Sequence, residues 1–176
     1  MSGPEAARHL VLVGLMATGK STVGRILADA LGRPLRDSDD QVEAMTGRSV
    51  RAIWQTDGEA AFRLFETAAL AEALAEATPS VVAGAGGVVL AEENRVLLAA
   101  DHVDVVWLRA APETLVARVT AAADEHRPLL DDDPAGMLER MEADRRALYE
   151  SVADRIVDVD DRTPDAVAAA ILEDGS

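Results

Sequence analysis

One loop near the N-terminus has the residue types of a phosphate-binding site. The stretch GLMATGKST, residues 14–22, places Gly14, Gly19, Lys20 and Ser21 in the pattern of a glycine, four residues, and then Gly-Lys-Ser or Gly-Lys-Thr. In such a loop the backbone N–H groups surround the β-phosphate of a nucleoside triphosphate, and the lysine reaches the outer phosphates. Lys20 is the only lysine among 17 basic residues, so its position inside this pattern is informative.

Other positions of the loop have expected tasks at a bound nucleotide. Ser21 offers a hydroxyl ligand to Mg²⁺, and Thr22 lies where its hydroxyl could reach the α-phosphate. Ala17 and Thr18 stand where many such loops have glycine, so either would be strained if its backbone needed a positive φ. The sequence therefore predicts a site for a nucleoside triphosphate and Mg²⁺ that is formed by Gly14, Ala17, Thr18, Gly19, Lys20, Ser21 and Thr22.

Two aspartates after the loop add metal-binding and acid–base chemistry. In RDSDDQVE, residues 36–43, an extended backbone would place Asp37 and Asp39 on one side and Ser38 on the other. One carboxylate could then hold Mg²⁺ while the other accepts a proton from the hydroxyl that receives the phosphate. The alternative is structural, because Asp-Ser-Asp-Asp before a helix is typical of an N-cap followed by solvated acidic residues.

Composition narrows the classes of protein to which the chain can belong. Its 176 residues suit one domain, its formal net charge is −15, and 49% of its residues are hydrophobic. The negative charge argues against a general nucleic-acid binder, which needs a basic surface, and the absence of cysteine excludes disulfides and zinc–thiolate sites. The chain shows neither a run of roughly 20 apolar residues nor the pattern of a secretory signal. We therefore expect a cytoplasmic protein without membrane or nucleic-acid partners.

Short apolar runs alternate with segments of helical periodicity along the chain. Strands are predicted at 9–14, 33–39, 80–87, 103–109 and 155–159. Helices are predicted at 20–31, 39–79 with breaks at Gly47 and Gly58, 92–100, 112–123, 134–152 and from 164 onward. This alternation predicts a three-layer α/β fold, in which helices cover both faces of a parallel sheet built from these five strands. One domain is expected over 1–176, with a substrate-binding flap at about 38–79 and a lid at about 120–134, around the sheet edge where ligands bind.

The order and spacing of these motifs resemble the shikimate kinase family over essentially the whole chain. The resemblance rests on GLMATGKSTVGRILADALG, on DSD, on QVEAMTGRSVRAIWQTDGEAAFRLFE, and on RPLL and RRALY further along. It implies a small P-loop kinase of the nucleoside-monophosphate-kinase type. The implied reaction is Mg²⁺-dependent transfer of the γ-phosphate of ATP to the 3-hydroxyl of shikimate, a step of aromatic amino acid biosynthesis.

The resemblance assigns roles to residues around the nucleotide. Ser21 and Asp37 match residues that serve Mg²⁺, and Asp39 matches the residue that acts as base on the reacting hydroxyl. Arg127, in RPLL, matches a lid arginine that closes over the phosphates and stabilises the transferring charge. Arg118 matches an arginine that packs against adenine, and the eight residues between these two arginines make a slightly longer lid than usual. The implied catalytic residues are Lys20, Asp39 and Arg127.

The resemblance also assigns residues to the acceptor. Arg63 and Arg145 match two arginines that grip the carboxylate of shikimate, with Arg146 as the alternative if the register slips by one. Taken alone, Arg63 would be a surface residue paired with Glu66. Two guanidinium groups on one carboxylate nevertheless suit the planar geometry of both partners. The implied acceptor site is formed by Asp39, Arg63, Gly86, Gly87 and Arg145.

The chain departs from the family at AGAGG, residues 83–87, where the family usually has three consecutive glycines. Ala85 takes the first of those positions, and Gly86 and Gly87 take the others, where backbone amides lie against the substrate ring. A methyl group at position 85 either narrows the pocket or lies away from it. A turn that ends a strand would also explain these glycines without any ligand.

Two other functions are compatible with the motifs. A related kinase could act on another carboxylated polyol or cyclitol, such as gluconate, because a pair of arginines does not distinguish a ring from an open chain. A nucleotide-binding module without catalysis could keep the loop, although Asp37, Asp39 and Arg127 exceed what binding requires. A monomer is expected, and Trp54 and Trp107 are expected to fill core or helix-packing positions.

Overall fold

Strands and helices alternate along the chain. The strands are β1 (His9–Val13), β2 (Leu35–Asp37), β3 (Val81–Ala83), β4 (Val103–Arg109) and β5 (Arg155–Asp158). The helices are α1 (Lys20–Leu31), α2 (Ser38–Thr46), α3 (Val50–Ala75), α4 (Glu92–Leu98), α5 (Pro112–Ala121), α6 (Pro134–Val152) and α7 (Pro164–Asp174). These elements come from a computed structural model that describes residues 7–122 and 133–175. None of the helices in these two ranges combines the length and the apolar character needed to cross a membrane.

The five strands form one parallel sheet in the order β2-β3-β1-β4-β5. All the residues of β1 are buried, as expected for a central strand whose two faces are both covered. The helices flank this sheet, with α1 against α7 and α5 against α6. The predicted α/β fold with a five-stranded parallel sheet is therefore confirmed.

Glycines shape the connection from β1 into α1. Gly14 has a φ of 143° and lies so close to the carbonyl oxygen of Leu108 that a Cβ atom would overlap it. Gly19, the N-cap of α1, has a φ of 94° and offers no side chain to the helix start. The backbone N–H groups of the first turn are therefore open to an anion placed in the loop.

A small apolar cluster joins α2 to α3 apart from the main core, and it contains Val42, Ile53, Phe62 and Ala69. Gly58 interrupts α3 with a φ of 82° and a ψ of 177°, a backbone region that is essentially restricted to glycine. Gly47, at the end of α2, has a φ of 67°. Both predicted breaks of this helical region are thus confirmed.

The prediction of an extended backbone from Asp37 to Asp39 is wrong, because α2 already begins at Ser38. The carboxylate of Asp37 accepts a hydrogen bond from the backbone N–H of Asp39 at 3.1 Å. Such a cap satisfies a donor that has no partner inside the helix, and this favours helix over strand here. The N-cap alternative is correct for Asp37.

Candidate active site

A cavity of about 860 Å³ opens beside the carboxyl ends of β1, β2 and β3. The phosphate loop, the starts of α2 and α3, the turn after β3, and side chains of α5 and α6 form its walls. The predicted site residues that line it are Ala17, Gly19, Lys20, Ser21, Thr22, Asp37, Asp39, Arg63, Gly86, Gly87, Arg118 and Arg145. Gly14 and Thr18 belong to the loop but do not line the cavity. Arg127 lies outside the described residues.

The phosphate loop is held by its own side chains. Lys20 Nζ donates hydrogen bonds to the carbonyl oxygens of Gly14 at 2.9 Å and Leu15 at 2.8 Å. Thr18 is buried, and its hydroxyl donates to the carbonyl oxygen of Leu15 at 2.8 Å. Ala17 has a φ of 64°, a left-handed conformation that costs a non-glycine residue roughly 1–2 kcal/mol. The strain considered from the sequence is therefore present at Ala17 and absent at Thr18.

Arg118 connects α5 to the phosphate loop. Its guanidinium donates to the carbonyl oxygens of Ala17 at 3.1 Å and Thr18 at 3.4 Å, and to that of Val159 at 3.0 Å. The same side chain lines the cavity. Its position beside the loop is where a planar cation could stack on a nucleotide base.

Oxygen ligands meet at the mouth of the loop. Ser21 Oγ donates a hydrogen bond to Asp37 Oδ2 at 2.5 Å. Mg²⁺ prefers such hydroxyl and carboxylate oxygens and usually keeps water and phosphate oxygens as its other ligands. Across the described residues no three histidine or carboxylate side chains converge as a metal site. The pair Ser21–Asp37 therefore fits an ion that a nucleotide brings with it.

Asp39 faces the same cavity from the first turn of α2. Loss of hydration inside the cavity raises the pKa of its carboxyl, the negative charge of Asp37 adds to this effect, and Lys20 opposes it. A carboxylate with a raised pKa accepts a proton more readily than an ordinary aspartate. Asp39 is thus suited to receive a proton near a phosphate-binding lysine.

Two glutamates hold Arg63 in the cavity wall. Its Nη1 donates to buried Glu66 at 2.7 Å, and its Nη2 donates to Glu59 at 2.9 Å. A Cβ atom at Gly87 would overlap the guanidinium, so glycine leaves the space for it. Burial raises the pKa of Glu66, and the charge of Arg63 opposes that shift. Arg63 therefore makes the expected pair with Glu66 and also lines the cavity.

Arg145 reaches the turn after β3 from α6. Its Nη1 donates to the carbonyl oxygen of Gly86 at 3.1 Å, and the hydroxyl of Tyr149 donates to the same oxygen at 2.5 Å. Burial raises the pKa of Tyr149 to about 12. Arg146 instead pairs with Glu142 at 2.6 Å and does not line the cavity. The structure thus places Arg145, rather than Arg146, in the site.

Several cavity residues were not singled out from the sequence. Trp54 packs against the α2–α3 cluster, with its ring 5.6 Å from that of Phe62, as expected for a helix-packing position. It is half-buried and also lines the cavity. Arg51 and Glu66 also line the cavity. So does Ala85, the position at which the sequence departs from the family pattern. Arg51 and Trp54 precede the break at Gly58, and Arg63 follows it. Helical spacing counted across the break therefore does not predict that all three face the cavity.

Known proteins provide an independent comparison. A family model described as "Shikimate kinase" matches residues 16–175. A shikimate kinase of Pseudomonas syringae pv. tomato is 44% identical over 166 residues, which cover 94% of each chain. A shikimate kinase of Streptomyces coelicolor is 42% identical over 168 residues, which cover 96% of this chain and 95% of the other.

Solved structures show the same relationship. A shikimate kinase from Acinetobacter baumannii in complex with shikimate superposes with a TM-score of 0.89 at 34% identity, covering 96% of this chain and 93% of the other. A gluconokinase from Sinorhizobium meliloti shares the fold, with a TM-score of 0.62 at 20% identity, over 97% of each chain. Since the family model and these relatives span nearly all of the residues that build the cavity, the chain belongs to the shikimate kinase family.

Proposed function

We propose that this protein transfers the γ-phosphate of ATP to the 3-hydroxyl of shikimate, giving ADP and shikimate 3-phosphate. The observation that carries the proposal is that Asp39, Arg63 and Arg145 line the same cavity as the phosphate loop. An acidic alcohol held by the arginines would then have its hydroxyl beside a carboxylate and near the nucleotide. The relative solved with shikimate bound supports the choice of acceptor.

The nucleotide side of the cavity would hold the triphosphate by backbone and charge. Backbone N–H groups from Gly14 to Ser21 and the N-terminus of α1 would surround the β-phosphate. Lys20 now donates to two loop carbonyls, and it would turn toward the outer phosphates when they arrive. Ser21 and Asp37 would hold Mg²⁺, which when bound offsets phosphate charge. Arg118 would lie against the base.

The acceptor side would orient the acid and its alcohol. Arg63 and Arg145 would bind the carboxylate, and the turn at Gly86 and Gly87 would lie against the ring. Asp39 would accept the proton of the attacking hydroxyl as its oxygen approaches the γ-phosphorus in line with the leaving oxygen. Proton transfer of this kind contributes about 10²–10⁴-fold to rate, and the remaining acceleration would come from positioning and electrostatics.

The lid completes the proposed site. Arg127 would close over the phosphates, keep water from the transferring group and offset its charge. We propose that the protein acts as a monomer. Because ATP is a cytoplasmic substrate, we place the reaction in the cytoplasm.

The experiment that tests this function compares acceptors at fixed ATP and Mg²⁺. ADP formation is followed with shikimate, quinate, gluconate and uncharged cyclitols. We expect kcat/KM for shikimate to exceed the values for the uncharged cyclitols by at least about tenfold, because both arginines require a carboxylate. We also expect it to exceed the values for quinate and gluconate, whose shapes differ from the ring that would lie against the turn at Gly86 and Gly87. Preference for gluconate would assign the protein to a different kinase activity, and ADP formation that no acceptor stimulates would reject the proposed reaction.

A further inference from the structure

Arg51 is a cavity residue without an assigned task. It lies in the first turn of α3, lines the cavity and is exposed. Its guanidinium makes no hydrogen bond or ion pair with any residue in the ranges 7–122 and 133–175. Its neighbour along the chain, Arg48, pairs with Asp57 at 2.5 Å. Among the described residues, Arg51 therefore offers an available cation to whatever enters the cavity.

Arg51 belongs to the acceptor wall of the cavity. Trp54 follows it by three residues in the helix, so the two side chains share one helix face. The ring of Trp54 in turn lies 5.8 Å from the guanidinium of Arg63. Arg51, Trp54 and Arg63 thus form one continuous part of the cavity wall, and α3 supplies all three.

The charges of this wall suggest a role for Arg51, because the other arginine of the wall is already paired with carboxylates. Arg63 is already neutralised by Glu59 and Glu66, at 2.9 Å and 2.7 Å. Asp39 adds a further negative charge, and the whole chain carries −15. An acidic acceptor therefore approaches a wall whose central cation has two carboxylate partners before the acceptor arrives. An additional unshared cation would favour its binding and the retention of a phosphorylated product.

We propose that Arg51 binds an oxyanion of the ligand on the acceptor side, either the carboxylate of the acceptor or the new phosphoryl group of the product. This inference rests on the proposed function and adds a third arginine to it. The contact is a charge-assisted hydrogen bond from an exposed guanidinium. Its contribution is therefore of the size expected for an exposed ion pair, and it acts on binding rather than on the chemical step.

The test compares Arg51→Gln with Arg146→Gln, which removes the same charge from an exposed arginine outside the cavity. If Arg51 binds the carboxylate, we expect Arg51→Gln to raise KM for shikimate roughly two- to fivefold, with kcat and the KM of ATP unchanged. Arg51→Lys should recover part of the loss because it restores the charge. Added salt should raise the wild-type KM and have less effect on Arg51→Gln.

Two further ligands distinguish the oxyanions. If Arg51 contacts the carboxylate, the substitution raises KM for shikimate but not for its methyl ester. If it contacts the phosphoryl group, calorimetry shows that Arg51→Gln loses more affinity for shikimate 3-phosphate than for shikimate. Equal KM and dissociation constants for wild type and Arg51→Gln would overturn this inference but not the proposed function. An equal loss of affinity in Arg146→Gln would do the same. A wild-type protein that does not turn over shikimate would overturn the proposed function with it.

Discussion

At the scale of single residues, the environment of Asp39 supports its proposed role as the base. Its raised pKa arises from lost hydration and the adjacent charge of Asp37. The proton-accepting form is therefore lost at a higher pH than for an ordinary aspartate, so activity should fall on acidification through that raised pKa. We propose Asp39 rather than Asp37 as the base, because Asp37 already accepts hydrogen bonds from the Ser21 hydroxyl and from the backbone N–H of Asp39.

We predict that Asp39→Asn lowers kcat by about 10²–10⁴-fold, because the amide cannot accept the proton. The dissociation constant of ATP should stay within about twofold, since the phosphate loop is unchanged. Steady-state kinetics and nucleotide titration measure the two quantities. Normal turnover in Asp39→Asn would refute the role of Asp39 as base.

Glu66 should favour shikimate binding without adding to thermal stability at neutral pH. Its pKa is raised mainly by burial, so its ionised form is disfavoured in the folded protein, and stability from this group falls as pH rises through that pKa. We predict that Glu66→Gln leaves the melting temperature unchanged or higher at neutral pH. It should also raise KM for shikimate several-fold, because Arg63 then loses the buried one of the two carboxylates that orient it among the described residues. Thermal melting and kinetics provide both readouts.

A matched control for Glu66 is Glu142→Gln, which removes a carboxylate partner of Arg146 outside the cavity. It should change neither KM nor kcat. A lower melting temperature in Glu66→Gln together with an unaltered KM would contradict the proposed orientation of Arg63.

His9 should make stability depend on pH at the opposite end of the sheet. Its Nδ1 accepts from the backbone N–H of Ser80 at 3.2 Å, which requires an unprotonated nitrogen. Burial lowers its pKa below 6.5, and neighbouring His102 lowers it further. Below pH 6.5 the unfolded chain therefore binds a proton that the folded chain resists, and the free energy of unfolding should fall until the lowered pKa is reached.

Urea unfolding of the wild type and of His9→Gln between pH 5 and 8 measures this effect. The wild type should lose stability below pH 6.5 relative to the variant. Parallel curves for the two proteins across this range would show that His9 does not cause the dependence.

At the scale of the elements, Gly58 divides α3 into two segments that both contribute to the cavity. Its φ of 82° and ψ of 177° suit glycine alone. We predict that Gly58→Ala lowers the free energy of unfolding by about 1–3 kcal/mol. It should also raise KM for shikimate, because Arg51 and Arg63 lie on opposite sides of the break.

The control for Gly58 is Gly32→Ala, which also forces alanine into a positive φ, 61°, with no heavy atom within 4 Å of the added Cβ. Gly32 ends α1 and does not line the cavity. This variant should lose stability without any change in KM. A Gly58→Ala protein with wild-type KM would show that the break does not set the spacing of the two arginines.

The elements differ in how far their sequences predict them. β1 and α1 are predictable because a short apolar run, a glycine loop and a helical period follow one another without conflict. Around Asp37 a strand ends and a helix begins within one residue, and side-chain capping determines the geometry. Trp54 could not be assigned to the cavity, because the break at Gly58 hides which face of α3 it shares with Arg63.

At the scale of the whole molecule, alternation of strands and helices was sufficient to predict the parallel sheet. It could not give the contacts that orient the arginines, since these join residues far apart in sequence, such as Arg145 with Gly86. The total charge of the sequence likewise does not predict the charge of the cavity. The chain carries −15, yet five of the side chains that line the cavity are lysine or arginine, against three carboxylates. Only the fold gathers these cations around an anionic substrate pair.

Phosphorus NMR of a single reaction mixture tests phosphoryl transfer directly. The wild-type protein is incubated with ATP, Mg²⁺ and shikimate, and the phosphorus resonances are followed with time. We predict that ADP and one new phosphomonoester, coupled to the proton at carbon 3 of the ring, appear in equal amounts. ADP accompanied by inorganic phosphate alone, or a phosphomonoester at another hydroxyl, would contradict the proposed placement of shikimate between Asp39 and the two arginines.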